Sequence, residues 1–417
     1  MSTTILENAR LVTLAQGNGA RTPRRGDEME HLGVIERGWV SIESGRITGM
    51  DEGTPPGGEA GSDEVRIDVE GRVVMPGLVD CHTHACWAGC RFDEFDEKLR
   101  GASYLEILAA GGGIMSTVRS VRSASVEELT SNLLHRIEQM TRLGSTTIEV
   151  KSGYGLSTEA ELKMLEAIRS AKQLIEPIVI PTFLGAHAID PDNPDFIEQT
   201  INETLPAVAQ AFPGIACDAY CEDGAWSLDQ CRRLFEEAQA LGCPIRVHAD
   251  QFNSLGATRL AIESGAVSVD HLEATTPDDL RALAHSDTMG VLLPASGYHL
   301  GEGYASGRAF VDLGGAVAIA SNFNPGSAPT PSMPFAIHLA VNRCRLTPSE
   351  AITAATWNAA CVLGLQDEIG SIEIGKRADL LVLDSTDERA LAWEFATPGP
   401  RLVMIAGQIH DLTPLGG

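Results

Sequence analysis

Eight short apolar runs, separated by stretches long enough for helices, fill the middle of this 417-residue chain, and that alternation limits the fold more than any other feature. The runs are Val73–Asp80, Thr146–Lys151, Ile178–Phe183, Cys217–Cys221, Pro244–Val247, Val267–Asp270, Gly290–Pro294 and Ala316–Ala320. Strands alternating with helices build βα units and a parallel sheet. The intervening helices carry start and stop signals: Ser125, followed by Glu127 and Glu128, opens Ser125–Leu143, and Gly144 ends it. Eight such units predict a (β/α)₈ barrel, a fold of about 250 residues, over residues 73–365.

The flanks have a different rhythm. Arg10–Leu14, Trp39–Ile42, Arg46–Met50 and Val65–Val69 are short alternating runs between Gly- and Pro-rich turns, and the pattern returns in Leu380–Leu383 and Arg401–Ile405. Residues 1–72 and 366–417 are therefore expected to form one small β-sandwich domain assembled from both termini, with the barrel inserted between them.

Composition narrows the possible partners. A formal charge of −26 excludes polyanions, because phosphate binding needs Lys and Arg clusters that are missing here. Nucleic acid and anionic membranes are set aside, and the charge reads as a solvated acidic surface. Met1–Asn8 is polar and the apolar stretch after it is broken by Gln16, Gly17 and Asn18, which is unlike a signal peptide. No segment approaches the ~20 apolar residues of a membrane span. The nine cysteines, an odd number without disulfide-framework spacing, fit reduced thiols in a cytoplasm.

Barrel enzymes place their chemistry at the C-terminal ends of their strands, and here those ends are polar. The first run leads into His82-Thr83-His84, and alternation along an extended chain puts both imidazoles on one side. The fifth leads to His248 and the sixth to His271, so four of the eleven histidines gather at three strand ends. A lone histidine is more often a core hydrogen-bonding group than a ligand. Four in register at one mouth point instead to a site for zinc or iron, able to activate water. Arg91, Tyr154 and His187 follow the first, second and third runs. An arginine there can hold a carboxylate, and a glycine-flanked tyrosine can cover a pocket. Cys81 and Cys86 offer thiolates beside the histidine pair, although small core residues are the simpler reading.

Met75-Pro76-Gly77-Leu78-Val79-Asp80 before His82-Thr83-His84 resembles the amidohydrolase superfamily. Several strings make the chain similar to its imidazolonepropionase branch: Gly111-Gly112-Gly113-Ile114, Glu149 to Leu156, Thr182 to His187, Asp270-His271-Leu272-Glu273 and Asn324-Pro325-Gly326-Ser327. The resemblance implies hydrolysis of the ring amide of 4-imidazolone-5-propanoate to N-formimino-glutamate, with one zinc or iron ion and a homodimeric enzyme. It makes His82, His84 and His248 metal ligands. Arg91, Tyr104, Tyr154, His187, Gln251, Asn324, Gly326 and Ser327 would hold the substrate, while His271, with Gln251, would serve the proton transfers. Because the branch uses a single metal, Lys151 is expected to be an orienting lysine rather than a carbamylated bridge between two ions.

One position departs from the pattern. Where the family ends its eighth strand with a metal-binding aspartate, this chain has Asn322. An amide oxygen can ligate a cation but brings no charge and cannot act as a base. That leaves an active branch tolerating Asn, a hydrolase of a related ring such as a hydantoin- or thiohydantoin-propanoate, or an inactivated chain that only binds.

Overall fold

The computed structural model describes residues 3–16, 21–56, 64–101, 112–395 and 399–410. Among these residues the strands form two eight-stranded sheets. The first is parallel and follows chain order: β1 (Leu78–Asp80), β2 (Ser145–Lys151), β3 (Ile178–Ala186), β4 (Ala216–Cys221), β5 (Ile245–Ala249), β6 (Ser268–His271), β7 (Met289–Leu292) and β8 (Val317–Ile319). Past the last strand the chain folds back onto the first: the Asn322 amide donates to the His82 carbonyl at 3.1 Å and the His84 amide to the Phe323 carbonyl at 3.0 Å. These bonds draw the two ends of the sheet together into the barrel, directly at the histidine pair.

The second sheet is mixed. It takes Thr3–Val12, Val34–Glu43, Arg46–Glu52, Glu64–Asp68 and Val73–Pro76 from one end of the chain and Leu380–Val382, Leu402–Ile405 and Gln408–His410 from the other. Thr3–Val12 is shared along its length, pairing with Glu64–Asp68 near its start and with Val73 and Val74 further on. The run Val73–Asp80, expected as one barrel strand, is split between the two sheets. Val73–Pro76 pairs with Leu380–Val382, and only Leu78–Asp80 enters the barrel. The break falls at Gly77, where a Cβ would come 2.1 Å from Thr146 Oγ1, a gap that no other residue could occupy unchanged. Both halves are buried, so the apolar run gives no sign of the change of sheet.

Several helices start where a side chain satisfies their first amides. Ser125 accepts from the Glu128 amide ahead of Val126–Arg142, and Ser227 and Thr347 form reciprocal capping boxes with Gln230 and Glu350. Leu129, Leu133, Ile137 and Met140, spaced at helical intervals, bury one face of Val126–Arg142 against the barrel core. No described helix is long and apolar enough to cross a membrane.

Candidate active site

Thr83 explains how two histidines one residue apart are held together. Its amide donates to Glu149 Oε2 at 2.9 Å and its hydroxyl to the Glu149 carbonyl at 2.6 Å, pinning the segment to β2 while both imidazoles stay buried. Arg136 secures the chain just beyond, donating to the carbonyls of Ala85 and Trp87 at 2.9 and 2.8 Å with its guanidinium 3.3 Å from the Trp87 ring centre. His248 comes from β5. One ligand nitrogen from each of His82, His84 and His248 lies within 4.8 Å of the others.

The tautomers of two of these rings follow from their partners. His82 Nδ1 donates to Asp270 at 2.5 Å and His248 Nδ1 to Asp218 at 3.1 Å, which leaves the Nε2 lone pairs for the centre. His248 Nε2 and His84 Nε2 stand 3.2 Å apart. Two nitrogens about 2.0–2.1 Å from one zinc ion at a tetrahedral angle must be roughly 3.3 Å apart, so the spacing fits a shared cation. Among the described residues His82 Nε2 is buried without a hydrogen-bond partner, which suits a lone pair directed at a cation. Burial holds His82 and His84 well below the ordinary imidazole range, with Lys151 and neighbouring imidazoles adding to the effect at both; burial also lowers His248. Neutral imidazole is the form that ligates.

Under the histidines lies a buried charged layer that strand spacing did not reveal. Lys151 Nζ is 2.6 Å from Glu149 and 2.8 Å from Asp218. Arg246 is 2.6 Å from Asp270 and 3.4 Å from Glu149, and it also donates to the Cys81 carbonyl. Asp218 and Asp270 therefore each join an imidazole to a cation. Burial acts to raise the Asp218 carboxyl, but His248 and Lys151 outweigh it and hold the group well below the usual carboxylate range. Lys151 is wholly committed to this layer as an ion-paired lysine. The available signal was a charge at every second position of otherwise apolar strands, as in Glu149-Val150-Lys151 and Arg246-Val247-His248, which the alternation turns into the barrel interior.

Around the mouth, His187 stacks on His84 with ring centres 4.9 Å apart, and Tyr154 lies 5.2 Å from His187. Burial pushes the His187 imidazole down to about 3. Tyr154 is buried, and its loop is shaped by Glu161, whose carboxylate accepts from the amides of Gly153, Gly155 and Leu156 at 2.8–2.9 Å. Gln251 is tied down by Tyr220, whose hydroxyl donates to its Oε1 at 3.0 Å. His271, 5.6 Å from His248 between ring centres, sits 3.3 Å from Glu273 through Nδ1 and has a left-handed φ of 95°. Such strain persists only where the surroundings impose it, and it gathers at functional sites.

Asn324 folds its own loop into a turn: its Oδ1 accepts from the amides of Gly326 and Ser327 at 2.8 and 2.7 Å. Arg91 packs against that turn, and a Cβ on Gly326 would lie 2.6 Å from Arg91 Nη1, so glycine makes room for the guanidinium. Arg91 Nε is taken by Thr117 at 2.9 Å and Nη1 stands 4.0 Å from Glu94, so that among the described residues the Nη edge has no hydrogen-bond partner. Tyr104 lies outside the described residues. Cys81 and Cys86 are buried; burial raises both thiols, Cys86 to about 12, and neither joins the histidine cluster.

Asn322 follows β8 with a left-handed φ of 54° and is buried. Its Nδ2 donates to Ser296 Oγ at 2.7 Å, while its Oδ1 has no hydrogen-bond partner among the described residues. A buried, unpaired carbonyl oxygen and an unpaired imidazole nitrogen on residues joined by a backbone hydrogen bond are a donor set suited to a cation.

The family model of the amidohydrolase family matches residues 73–410. An imidazolonepropionase from Herpetosiphon aurantiacus is 42% identical, over 96% of this chain and 95% of its own. Another, from Solibacter usitatus, is 43% identical over 98% of both. Among solved structures, Escherichia coli guanine deaminase superposes with a TM-score of 0.73 at 16% identity, covering 99% of each chain. An adenosine deaminase from Xanthomonas campestris, with bound zinc, gives 0.69 at 18% identity, covering 98% of this chain and 92% of that one. At such identities those two likenesses concern the fold alone. With the family model spanning most of its length and relatives above 40% identity end to end, the chain belongs to the amidohydrolase family, in its imidazolonepropionase branch.

Proposed function

We propose that the chain adds water across the ring amide C–N bond of 4-imidazolone-5-propanoate and yields N-formimino-L-glutamate, a step of histidine degradation. The observation that carries this reading is the meeting of three buried, neutral imidazoles at one barrel mouth with Arg91 and the Asn324 turn, in a chain whose relatives are imidazolonepropionases. His82, His84 and His248, with Asn322 as a weaker fourth, would hold one zinc or iron ion. When bound, the ion supplies a Lewis acid and lowers the pKa of water toward neutrality.

The remaining work falls to the chain's own groups. Arg91 offers its Nη edge to the propanoate, and the Gly326 backbone leaves space for that pairing. Tyr154, His187 and Gln251 surround the ring with hydrogen-bonding groups, the tyrosine being held by the Glu161 loop and the glutamine by Tyr220. His271 takes the proton from water: Glu273 at Nδ1 favours the tautomer with a basic Nε2. That proton then passes to the ring nitrogen as the C–N bond breaks, while the water oxygen stays on the new carboxylate. A cytoplasmic location, supported by nine free cysteines, and a homodimer, supported by the resemblance to the branch, complete the reading.

Incubation with imidazolone-propanoate and added zinc or iron, followed by ultraviolet absorbance, should show loss of the ring chromophore. No turnover with either ion would sink this assignment. Tight binding without turnover would mark a binding protein, a reading that the uncharged Asn322 favours. Turnover of a hydantoin- or thiohydantoin-propanoate alone would move the assignment to that ring.

A further inference from the structure

We propose that Ser296 is a positioning residue that orients the Asn322 amide so that its oxygen, and not its nitrogen, is presented to a cation held by His82, His84 and His248. This rests on the metal-centre reading above. An amide differs from a carboxylate in one decisive way: its two ends are an acceptor and a donor, and half a turn about the last side-chain bond would aim an NH₂ at the cation. A carboxylate has no wrong way round. An asparagine used as a ligand therefore needs something to choose its orientation.

The rest of Asn322 is already fixed. Its amide nitrogen donates to the His82 carbonyl at 3.1 Å, and its own carbonyl accepts from Asn324 Nδ2 at 2.6 Å. Only the side-chain torsions remain, and Ser296 Oγ takes Nδ2 at 2.7 Å. Ser296 is 1% and Asn322 2% exposed, so water does not compete for this bond. A hydroxyl can accept or donate; here Ser296 accepts, and with Nδ2 held there Oδ1 is the end left unpartnered among the described residues, the orientation that an adjacent cation would reinforce. Ser296 lies in the short helix Pro294–Leu300 directly after β7, beside the strand that delivers Asn322. The serine thus compensates for the missing carboxylate by fixing direction, although it adds no charge.

A set of four metal-stripped proteins tests this: wild type, Ser296→Ala, Asn322→Asp and the double variant, each titrated with zinc against a chromophoric chelator. Removing groups that orient a ligand typically weakens metal binding about 10–100-fold. Ser296→Ala should weaken zinc binding at least about tenfold in the wild-type background and less than about threefold in the N322D background. A loss of equal size in both backgrounds, or none in the wild type, would overturn the inference. Zinc binding absent from the wild type itself would instead contradict the metal-centre reading on which it rests. If Ser296→Ala misfolds by circular dichroism, Ser296→Cys keeps the size with a poor acceptor and should show the same background-dependent loss in reduced degree; background-independent binding in that variant would equally overturn the inference.

Discussion

Arg91 reaches the barrel mouth with one nitrogen committed to Thr117 and the others beside the Asn324 turn, 4.0 Å from Glu94 at the closest. Its guanidinium is thus pre-oriented, and under the proposed function its loss would remove a charge-assisted bond made to the substrate before and during reaction. Arg91→Ala should raise KM by about 10–100-fold with a smaller change in kcat, as expected for about 1.5–3 kcal/mol of lost binding. Steady-state kinetics checks this, and an unchanged KM would remove Arg91 from the site. At this scale the sequence was readable where a residue's neighbours in the chain announced it. His82 and His84 are one residue apart on an extended strand, and His248 and His271 end apolar runs. Asp218 and Asp270, which set the tautomers of His248 and His82, gave no such sign, because their partners lie 30 and 188 positions away.

Elements decide which of these side chains meet. The loop Gly153–Leu156 has no regular structure to satisfy its amides, and buried Glu161 on the helix Thr158–Lys172 takes three of them. Burial raises the Glu161 carboxyl, against those hydrogen bonds. Glu161→Gln replaces an acceptor with an NH₂ facing backbone donors and should cost about 1–3 kcal/mol per amide left unpaired. The expected outcome is a lower urea midpoint together with a raised KM through Tyr154; wild-type values of both would show that the loop holds itself. The eight runs marked the barrel strands well, since strands buried on both faces must be apolar throughout. That same rule hid the passage from Pro76 to Leu78 between two sheets, where the decisive feature is the space Thr146 leaves at Gly77.

For the whole molecule, burying a neutral histidine centre makes stability depend on pH. His82, His84 and His248 have folded values below the ordinary ~6.5, so in acid the unfolded chain binds more protons and stability falls as pH drops through that value. Asp80 works the other way: burial raises it to about 7, so the folded chain keeps a proton that the unfolded one releases above about 4. His187, pushed down to about 3, acts in the same sense as these three, so the buried imidazoles outnumber Asp80 and stability falls as pH drops below about 6. Urea unfolding of the metal-stripped protein should therefore show a markedly lower midpoint at pH 5.5 than at pH 7.5; equal midpoints would mean that these imidazoles are not held neutral.

The same centre gives the most direct test of the whole account, elemental analysis of protein purified without chelators, beside His248→Ala prepared identically. One zinc or iron per chain in the wild type and a small fraction of that in the variant is the predicted result. A wild-type chain with no metal after exposure to both ions, or a variant that keeps its full complement, would contradict a centre built on His82, His84 and His248.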